Sequence, residues 1–126
     1  MSDKLKQKNV LGEDLEECSI DPLTGWLRDG CCNTDENDLG LHTVCVKVNN
    51  EFLDWCKQAG NDLITPHPEF GFPGLKDGDS WCVCAATYAQ SINEGTACKV
   101  YLKKTNQKTL EIIPLEKLKK YAIDLS

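Results

Sequence analysis

The sequence contains a single arginine, Arg28, against thirteen lysines. Arginine differs from lysine in its planar guanidinium, which holds a carboxylate through two parallel hydrogen bonds. The isolated use of arginine in the turn Arg28-Asp29-Gly30 makes Arg28 a candidate for binding a carboxylate, with a chance occurrence as the alternative interpretation.

Long apolar runs are absent as well. No segment reaches the roughly 20 apolar residues that a membrane-spanning helix needs, and residues 1–17 lack the apolar core of a secretory signal. We therefore expect a cytoplasmic protein without a membrane partner. The net charge of −6 opposes binding to a phosphate backbone, so we expect no nucleic-acid partner either. A small molecule or another protein is left as the partner.

Cysteine is abundant, with eight residues, but the chain has no pair of Cys-x2-Cys knuckles, which is the usual zinc signal. The closest groupings are Cys31-Cys32 and Cys82-Val83-Cys84. Because the cytoplasm keeps thiols reduced, the sequence predicts free thiols, metal ligands or buried small side chains and no disulfide framework.

A chain of 126 residues fits one domain. We predict a disordered polar tail over 1–8 and a single globular domain over 9–126. Periodicity and turn signals predict six elements. These are a strand over 41–48, a helix over 51–59, a helix after Asp79, a hairpin of strands over 98–104 and 109–113, and a short helix opened by Pro114. The predicted fold class is α+β, with a small, mostly antiparallel sheet, two to three helices and two long ordered loops.

Two details of this prediction matter for the site. Alternation along the first strand places His42 on the face of Val44 and Cys45 on the opposite face. The helix after Asp79 is predicted from apolar residues spaced by three and four, beginning at Trp81. A strand over 81–84 is the alternative for the start of that segment.

The stretch from Gly71 to Cys84 carries the chemistry that stands out most. A glycine- and proline-rich loop leads into the predicted helix, so Cys82 falls in its first turn. Unpaired N–H groups and the helix dipole stabilise a thiolate there. Cys31 or Cys32 is a candidate partner for a disulfide or for resolving a sulfenate.

Other interpretations stay open. A zinc site can take one cysteine from each of three segments together with His42, although no ordinary four-ligand pattern is present. A nucleophile–base–carboxylate set of a cysteine, His42 and either Asp29 or Asp38 is a further alternative, which no spacing favours. Local hydrogen bonds to the backbone are predicted for at least three of four turn aspartates, which are Asp21, Asp29, Asp62 and Asp79.

Four segments closely resemble one protein family. They are CSIDPLTGWLRDGCC (18–32), DLGLHTVC (38–45), GNDLITPHPEFGFPGL (60–75) and GDSWCVCA (78–85). The family is the uncharacterised one catalogued as domain of unknown function 2237. The resemblance implies a small, stand-alone, mostly bacterial cytoplasmic protein and no assigned reaction.

The family pattern also selects candidate residues. The cysteines that it includes, as metal or thiol candidates, are Cys18, Cys31, Cys32, Cys45, Cys82 and Cys84. Its polar positions, as pocket candidates, are Arg28, Asp29, Asp38, His42, Asn61 and Asp62. Cys56 and Cys98 lie outside the pattern, which implies core or surface thiols.

We predict that the loops 18–40 and 61–80 converge near residue 80. They would form a thiol-rich pocket that works through a metal, with zinc as the candidate, or through a thiolate. A structural or interaction domain with buried, inert cysteines is the alternative.

Overall fold

The computed structural model describes residues 7–124, which form a three-stranded antiparallel sheet and its helices. The elements are β1 (His42–Lys47), α1 (Asn50–Gln58), β2 (Ser80–Cys84), α2 (Ala85–Glu94), β3 (Lys99–Val100) and α3 (Leu115–Lys119), with short 3-10 helices between them. The strand order is β2-β1-β3. The predicted α+β class is confirmed. None of the helices in the described range is long and apolar enough to cross a membrane.

Strand β1 is central because both of its neighbours pair with it. Its residues Val44 and Val46 are fully buried and pack with Phe52 of α1 and Tyr88 of α2 in the main core. Burying side chains of this size contributes roughly 1.5–3 kcal/mol each. The Asn49 side chain caps α1 by accepting a hydrogen bond from the Phe52 N–H at 2.8 Å, as its position before the helix predicts.

The predicted helix after Asp79 is wrong in its first part. Residues Ser80–Cys84 pair with β1 as a strand, and α2 begins only at Ala85. Cys84 is extended, with φ −62° and ψ 137°, and ends the strand. The apolar spacing resembled that of one continuous helix because Trp81 and Val83 face the core from a strand, and the apolar residues of the helix that follows face the same core. The strand alternative for 81–84 is confirmed.

The predicted hairpin over 98–104 and 109–113 is also wrong. Only Lys99–Val100 form a strand, and 3-10 helices occupy Leu102–Lys104 and Gln107–Glu111. Backbone N–H groups that the predicted hairpin would have paired with a second strand donate to a side chain instead. The Asp124 carboxylate accepts hydrogen bonds from the Leu102 and Lys103 N–H groups, at 2.8 and 2.9 Å.

The face assigned to His42 is wrong because β1 is irregular between His42 and Val44. A β-bulge adds a residue on one strand and so reverses the alternation of side chains. His42 lies opposite Cys84, and Cys45 lies opposite Cys82. Directly opposed residues project to the same side of a sheet. Because Cys82 and Cys84 are two residues apart on β2, they share one side, and their partners Cys45 and His42 share it with them.

Two disulfides occupy that side, contrary to the prediction of reduced thiols. Cys18 is bonded to Cys45 of β1, and Cys32 is bonded to Cys82 of β2. The four cysteines form a second, small buried cluster. The prediction of reduced thiols considered only the reducing conditions of the cytoplasm. In the structure, the loop 18–40 brings the two cysteines of each pair within bonding distance.

The predicted disordered tail over 1–8 lies partly outside the residues that the structure describes. Residues 1–6 lie outside the described residues. Gln7 and Lys8 lie inside it, where the Gln7 side chain donates to the Thr34 carbonyl at 2.8 Å and Lys8 pairs with Asp14 at 2.8 Å.

The disulfides yield a first prediction. Denatured, unreduced protein should take up four alkylating groups, on Cys31, Cys56, Cys84 and Cys98, and reduced protein should take up eight. Replacing both cysteines of either pair by alanine should lower the free energy of unfolding by about 3 to 4 kcal/mol, because the unfolded chain loses a crosslink. Mass spectrometry and denaturant unfolding measure both effects. A stability difference that persists unchanged under reducing conditions would contradict the crosslink explanation.

Candidate functional site

An open cleft of about 480 Å³ lies where β2 passes into α2. Both long loops contribute to it, as predicted. Its lining residues are Thr24, Gly25, Trp26, Arg28, His42, Asn61, Leu63, Trp81, Cys82, Val83, Cys84 and Thr87. Its volume is within the range that holds small molecules.

Cys84 is the free cysteine in this cleft. It is half-buried and occupies the N-cap position of α2, where no side chain caps the helix. The N–H groups of a first helical turn lack intrahelical acceptors and carry partial positive charge. Cys84, and not Cys82, therefore stands at the helix end to which the sequence argument assigned the reactive thiol.

His42 joins Cys84 to a carboxylate. The His42 Nε2 atom lies 3.2 Å from Cys84 Sγ, and Nδ1 lies 2.6 Å from Asp38 Oδ1. An ionised carboxylate only accepts hydrogen bonds, so Nδ1 carries a proton and Nε2 faces the sulfur. The three groups therefore form a hydrogen-bonded relay that runs from the Cys84 thiol through the His42 imidazole to the Asp38 carboxylate.

Hydrogen bonds to both carboxylate oxygens fix the Asp38 side chain. Its side chain is fully buried, and its second oxygen accepts from the His42 backbone N–H at 2.8 Å and the Thr34 hydroxyl at 2.9 Å. Backbone hydrogen bonds from Asp38 to Asp35 and from Leu41 to Asp38 close two successive turns before the strand. These turns place the Asp38 carboxylate within hydrogen-bonding distance of Nδ1 of the His42 imidazole, four residues later in the chain.

Two neighbours restrict the imidazole further. Trp26 stacks on His42 with ring centres 5.6 Å apart and an interplanar angle of 14°. A Cβ atom at Gly40 would lie 3.1 Å from Cys84 Sγ and 3.3 Å from His42 Cε1. A side chain at residue 40 would therefore require Cys84 Sγ or the imidazole to shift by a few tenths of an ångström.

The site raises the pKa of His42 from 6.5 to about 9. The largest cause is the hydrogen bond with Cys84; burial opposes the shift and Asp38 supports it. A raised folded-state pKa means that the charged imidazole stabilises the fold fully below pH 6.5, and that this contribution is lost as pH rises through about 9. Because 37 % of the His42 side chain is exposed, solvent screens this contribution.

Arg28 also lines the cleft and is exposed to solvent. Its guanidinium carbon stands 5.5 Å above the Trp81 ring centre, and Nη1 donates to the Leu23 carbonyl at 3.3 Å. Arg28 has no carboxylate partner among residues 7–124. Its neighbour Asp29 instead accepts from the Cys31 N–H and the Asn33 amide, at 3.0 and 2.8 Å.

Asp62 and Asp79, like Asp29, accept hydrogen bonds from the backbone of their own turns, so the prediction for at least three of the four turn aspartates is confirmed. Asp62 accepts from the Ile64 and Thr65 N–H groups and from the Thr65 hydroxyl, at 2.9, 3.1 and 2.6 Å. These hydrogen bonds, that of the hydroxyl first, lower the pKa of Asp62 to about 2. Asp79 accepts from the Lys76 N–H at 3.0 Å. Asp29 and Asp62 therefore stabilise their own turns and do not line the cleft.

The other free thiols differ from Cys84. Burial and the Asp29 and Glu17 carboxylates raise the pKa of Cys31. Burial raises the pKa of Cys56 to about 11 and also raises that of Cys98. Cys56 and Cys98 are core thiols, as the resemblance implies.

The disulfide sulfurs form their own group beneath the cleft. Sγ atoms of Cys18, Cys32 and Cys82 lie within 4.8 Å of one another, and all three residues are buried. The Thr24 hydroxyl accepts from the Cys82 N–H at 2.9 Å, which joins the loop to β2 beside this group. His42 is not a member of this group, contrary to the zinc site that the sequence suggested.

Sequence reasoning missed Thr24, Trp26 and Gly40. Trp26 and Thr24 lie in the segment TGWLRDG, where the sequence argument used the turn signals, Arg28 and Asp29 and assigned no role to these two residues. Their roles depend on contacts with β1 and β2, which no local pattern encodes.

The Cys84–His42 contact generates a second prediction. Replacing Cys84 by alanine should lower the pKa of His42 from about 9 towards its ordinary value, because the largest cause of the shift is removed. NMR titration of the His42 ring measures this change. The Cys98→Ala variant, in the core, is the matched control and should leave the midpoint unchanged. An unchanged midpoint in Cys84→Ala would refute the contact.

Comparison with functionally curated proteins gives no match. The sequence profile of one family, described as an uncharacterised protein conserved in bacteria, matches residues 8–122. The matched range includes every residue that lines the cleft and agrees with the resemblance carried by the four segments. The chain therefore belongs to the family of domain of unknown function 2237.

Proposed function

We propose that the cleft is a nucleophilic thiol site in which Cys84 attacks an electrophilic carbon of a small molecule. The observation that carries the proposal is the relay itself, with 3.2 Å from Cys84 Sγ to His42 Nε2 and 2.6 Å from His42 Nδ1 to Asp38 Oδ1. These distances are those of hydrogen-bonded nucleophile, base and orienting groups.

The reaction class that fits is acyl transfer or hydrolysis. The Cys84 thiolate forms a bond to the acyl carbon, and the carbonyl electron pair moves onto oxygen. When that pair returns, the bond to the leaving group breaks and His42 Nε2–H donates its proton to the departing atom. Water then attacks the thioester, His42 takes up a proton, and the carbon–sulfur bond breaks to restore the thiolate.

The surroundings support each role. Asp38 fixes the imidazole orientation through Nδ1, and Trp26 restricts its rotation. The first N–H groups of α2 lie next to Cys84, where partial positive charge stabilises both a thiolate and an oxyanion. The cleft is open, so a substrate reaches the sulfur without a conformational change.

Partner and location belong to the same proposal. A small molecule is the partner that a cleft of about 480 Å³ accommodates. The net charge of −6 disfavours nucleic acid. We keep the cytoplasm as the proposed location. There the half-buried Cys84 thiol would stay reduced, while the burial of all four bonded cysteines would shield the two disulfides from cytoplasmic reductants.

The third prediction tests the nucleophile. At neutral pH, iodoacetamide should modify Cys84 first in the folded protein, as read by peptide mass spectrometry. Cys84→Ser should remove the fast phase, and His42→Gln should slow it by roughly 10²-fold, because the base that generates the thiolate is lost.

Matched controls are available in the same chain. Cys31→Ser and Cys98→Ser should leave the fast phase intact, because these thiols lie outside the relay and their pKa values are raised. Equal reactivity of Cys31 and Cys84 in the wild type would reject the proposal.

A second candidate function is zinc binding at the disulfide cluster after reduction. The supporting observation is the proximity of the Cys18, Cys32 and Cys82 sulfurs, within 4.8 Å, with Cys45 bonded to Cys18. Four thiolates around zinc at about 2.3 Å would stand close to this spacing. A dithiol reductant must first break both disulfides, since a disulfide sulfur is not a thiolate ligand.

The fourth prediction concerns that candidate. Protein reduced by a dithiol and mixed with zinc without oxygen should retain about one zinc per chain after gel filtration, as measured by elemental mass spectrometry. Cys18→Ala should lose the metal and Cys84→Ala should keep it, since Cys84 lies outside the cluster. Absence of retained zinc in the reduced wild type would eliminate this candidate. Acid-trapped thiol counts from cells would establish whether the cluster is oxidised there.

A further inference from the structure

We infer that the substrate of the cleft carries an anionic group, a carboxylate or phosphate, which Arg28 binds while Cys84 attacks the acyl carbon. This inference rests on the proposed function and specifies its substrate class. It is supported by the position of Arg28 in the cleft and by the lack of a carboxylate partner for Arg28 among the described residues. Neither observation depends on the distances between Cys84, His42 and Asp38.

Arg28 is a cation without a counterion among residues 7–124. The chain has twenty acidic residues, yet no carboxylate in the described range pairs with its only arginine. The adjacent Asp29 is the nearest in sequence, and its two oxygens are occupied by Cys31 and Asn33. The charge of Arg28 is therefore left for a group that enters the cleft.

Arg28 is also held in place. The guanidinium lies 5.5 Å above the Trp81 ring, and one of its nitrogens donates to the Leu23 carbonyl. Its other N–H donors have no acceptor in the part of the chain that the structure describes. A planar fork positioned in this way binds an oxyanion through two hydrogen bonds, which a lysine cannot reproduce.

Arg28 and Cys84 reach the same cleft from different elements. Arg28 comes from the loop 18–40 and Cys84 from the end of β2, and Trp81 of β2 lies under the guanidinium. Leu63 and Val83 add apolar side chains to the same cleft. An acyl compound that carries an anionic group matches this set of lining residues.

A pair of alkylating reagents tests the inference. Iodoacetate and iodoacetamide react with the same sulfur, but only iodoacetate carries a carboxylate. Arg28→Ala should lower the ratio of their rates at Cys84 by about fivefold, which is the effect expected for one charge at close range in a partly solvated cleft. Arg28→Lys should keep part of this ratio, because it retains the charge and loses the fork.

Lys104→Ala is the matched control. The Lys104 ammonium stands 4.4 Å from the Tyr101 ring centre, so the variant also removes a cation over an aromatic ring, but outside the cleft. It should leave the ratio unchanged. Added acetate and inorganic phosphate, compared as inhibitors of the iodoacetate reaction, distinguish a carboxylate from a phosphate group.

The outcomes separate the two proposals. A ratio that falls in Arg28→Ala and not in Lys104→Ala supports anion binding. If Cys84 reacts rapidly with both reagents and the ratio is the same in Arg28→Ala, the anionic substrate class is overturned while the nucleophile stands. If Cys84 is slow with both reagents in the wild type, the proposed function fails and this inference fails with it.

Discussion

The attachment of the loop 18–40 to two paired strands determines the geometry of the cleft. Cys45 and Cys82 are cross-strand neighbours, and each is bonded to a cysteine of that loop. The Thr24 hydroxyl adds a hydrogen bond to the Cys82 N–H. A loop of this length without regular structure loses much conformational entropy when it is ordered. The crosslinks reduce that cost by restricting the unfolded chain, and they hold Trp26 and Arg28 against the sheet.

The relay depends on a second local feature, the irregularity of β1. Without the bulge between His42 and Val44, the imidazole would project into the main core, away from Cys84. With it, His42 meets Cys84 across the strands, and the turn before β1 places Asp38 behind the ring. Bulges are over-represented next to active sites because they redirect a single side chain while the strand pairing continues.

The cysteines occupy four different environments within one small domain. Four residues crosslink the loop to the sheet, Cys56 and Cys98 fill the core, and Cys31 lies half-buried on the loop. Only Cys84 combines a free thiol with an imidazole partner and a place in the cleft. The free thiols therefore differ in environment: burial raises the pKa values of Cys56 and Cys98, and burial together with two neighbouring carboxylates raises that of Cys31.

The sequence by itself determined the α+β class, strand β1, helix α1 with its Asn49 cap, and the self-bonding role of Asp62, because each depends on residues within a few positions. It also led to the prediction that the loops 18–40 and 61–80 converge near residue 80, and the family segments, not any spacing, marked Arg28, His42 and Cys84 among the candidate residues. Tertiary structure alone decided which cysteines pair, that residues 80–84 form a strand, and that Cys84 rather than Cys82 is the free thiol. The reason is physical: disulfide partners and strand partners are chosen by contacts between segments far apart in the chain, whereas periodicity and turn signals report only local preferences.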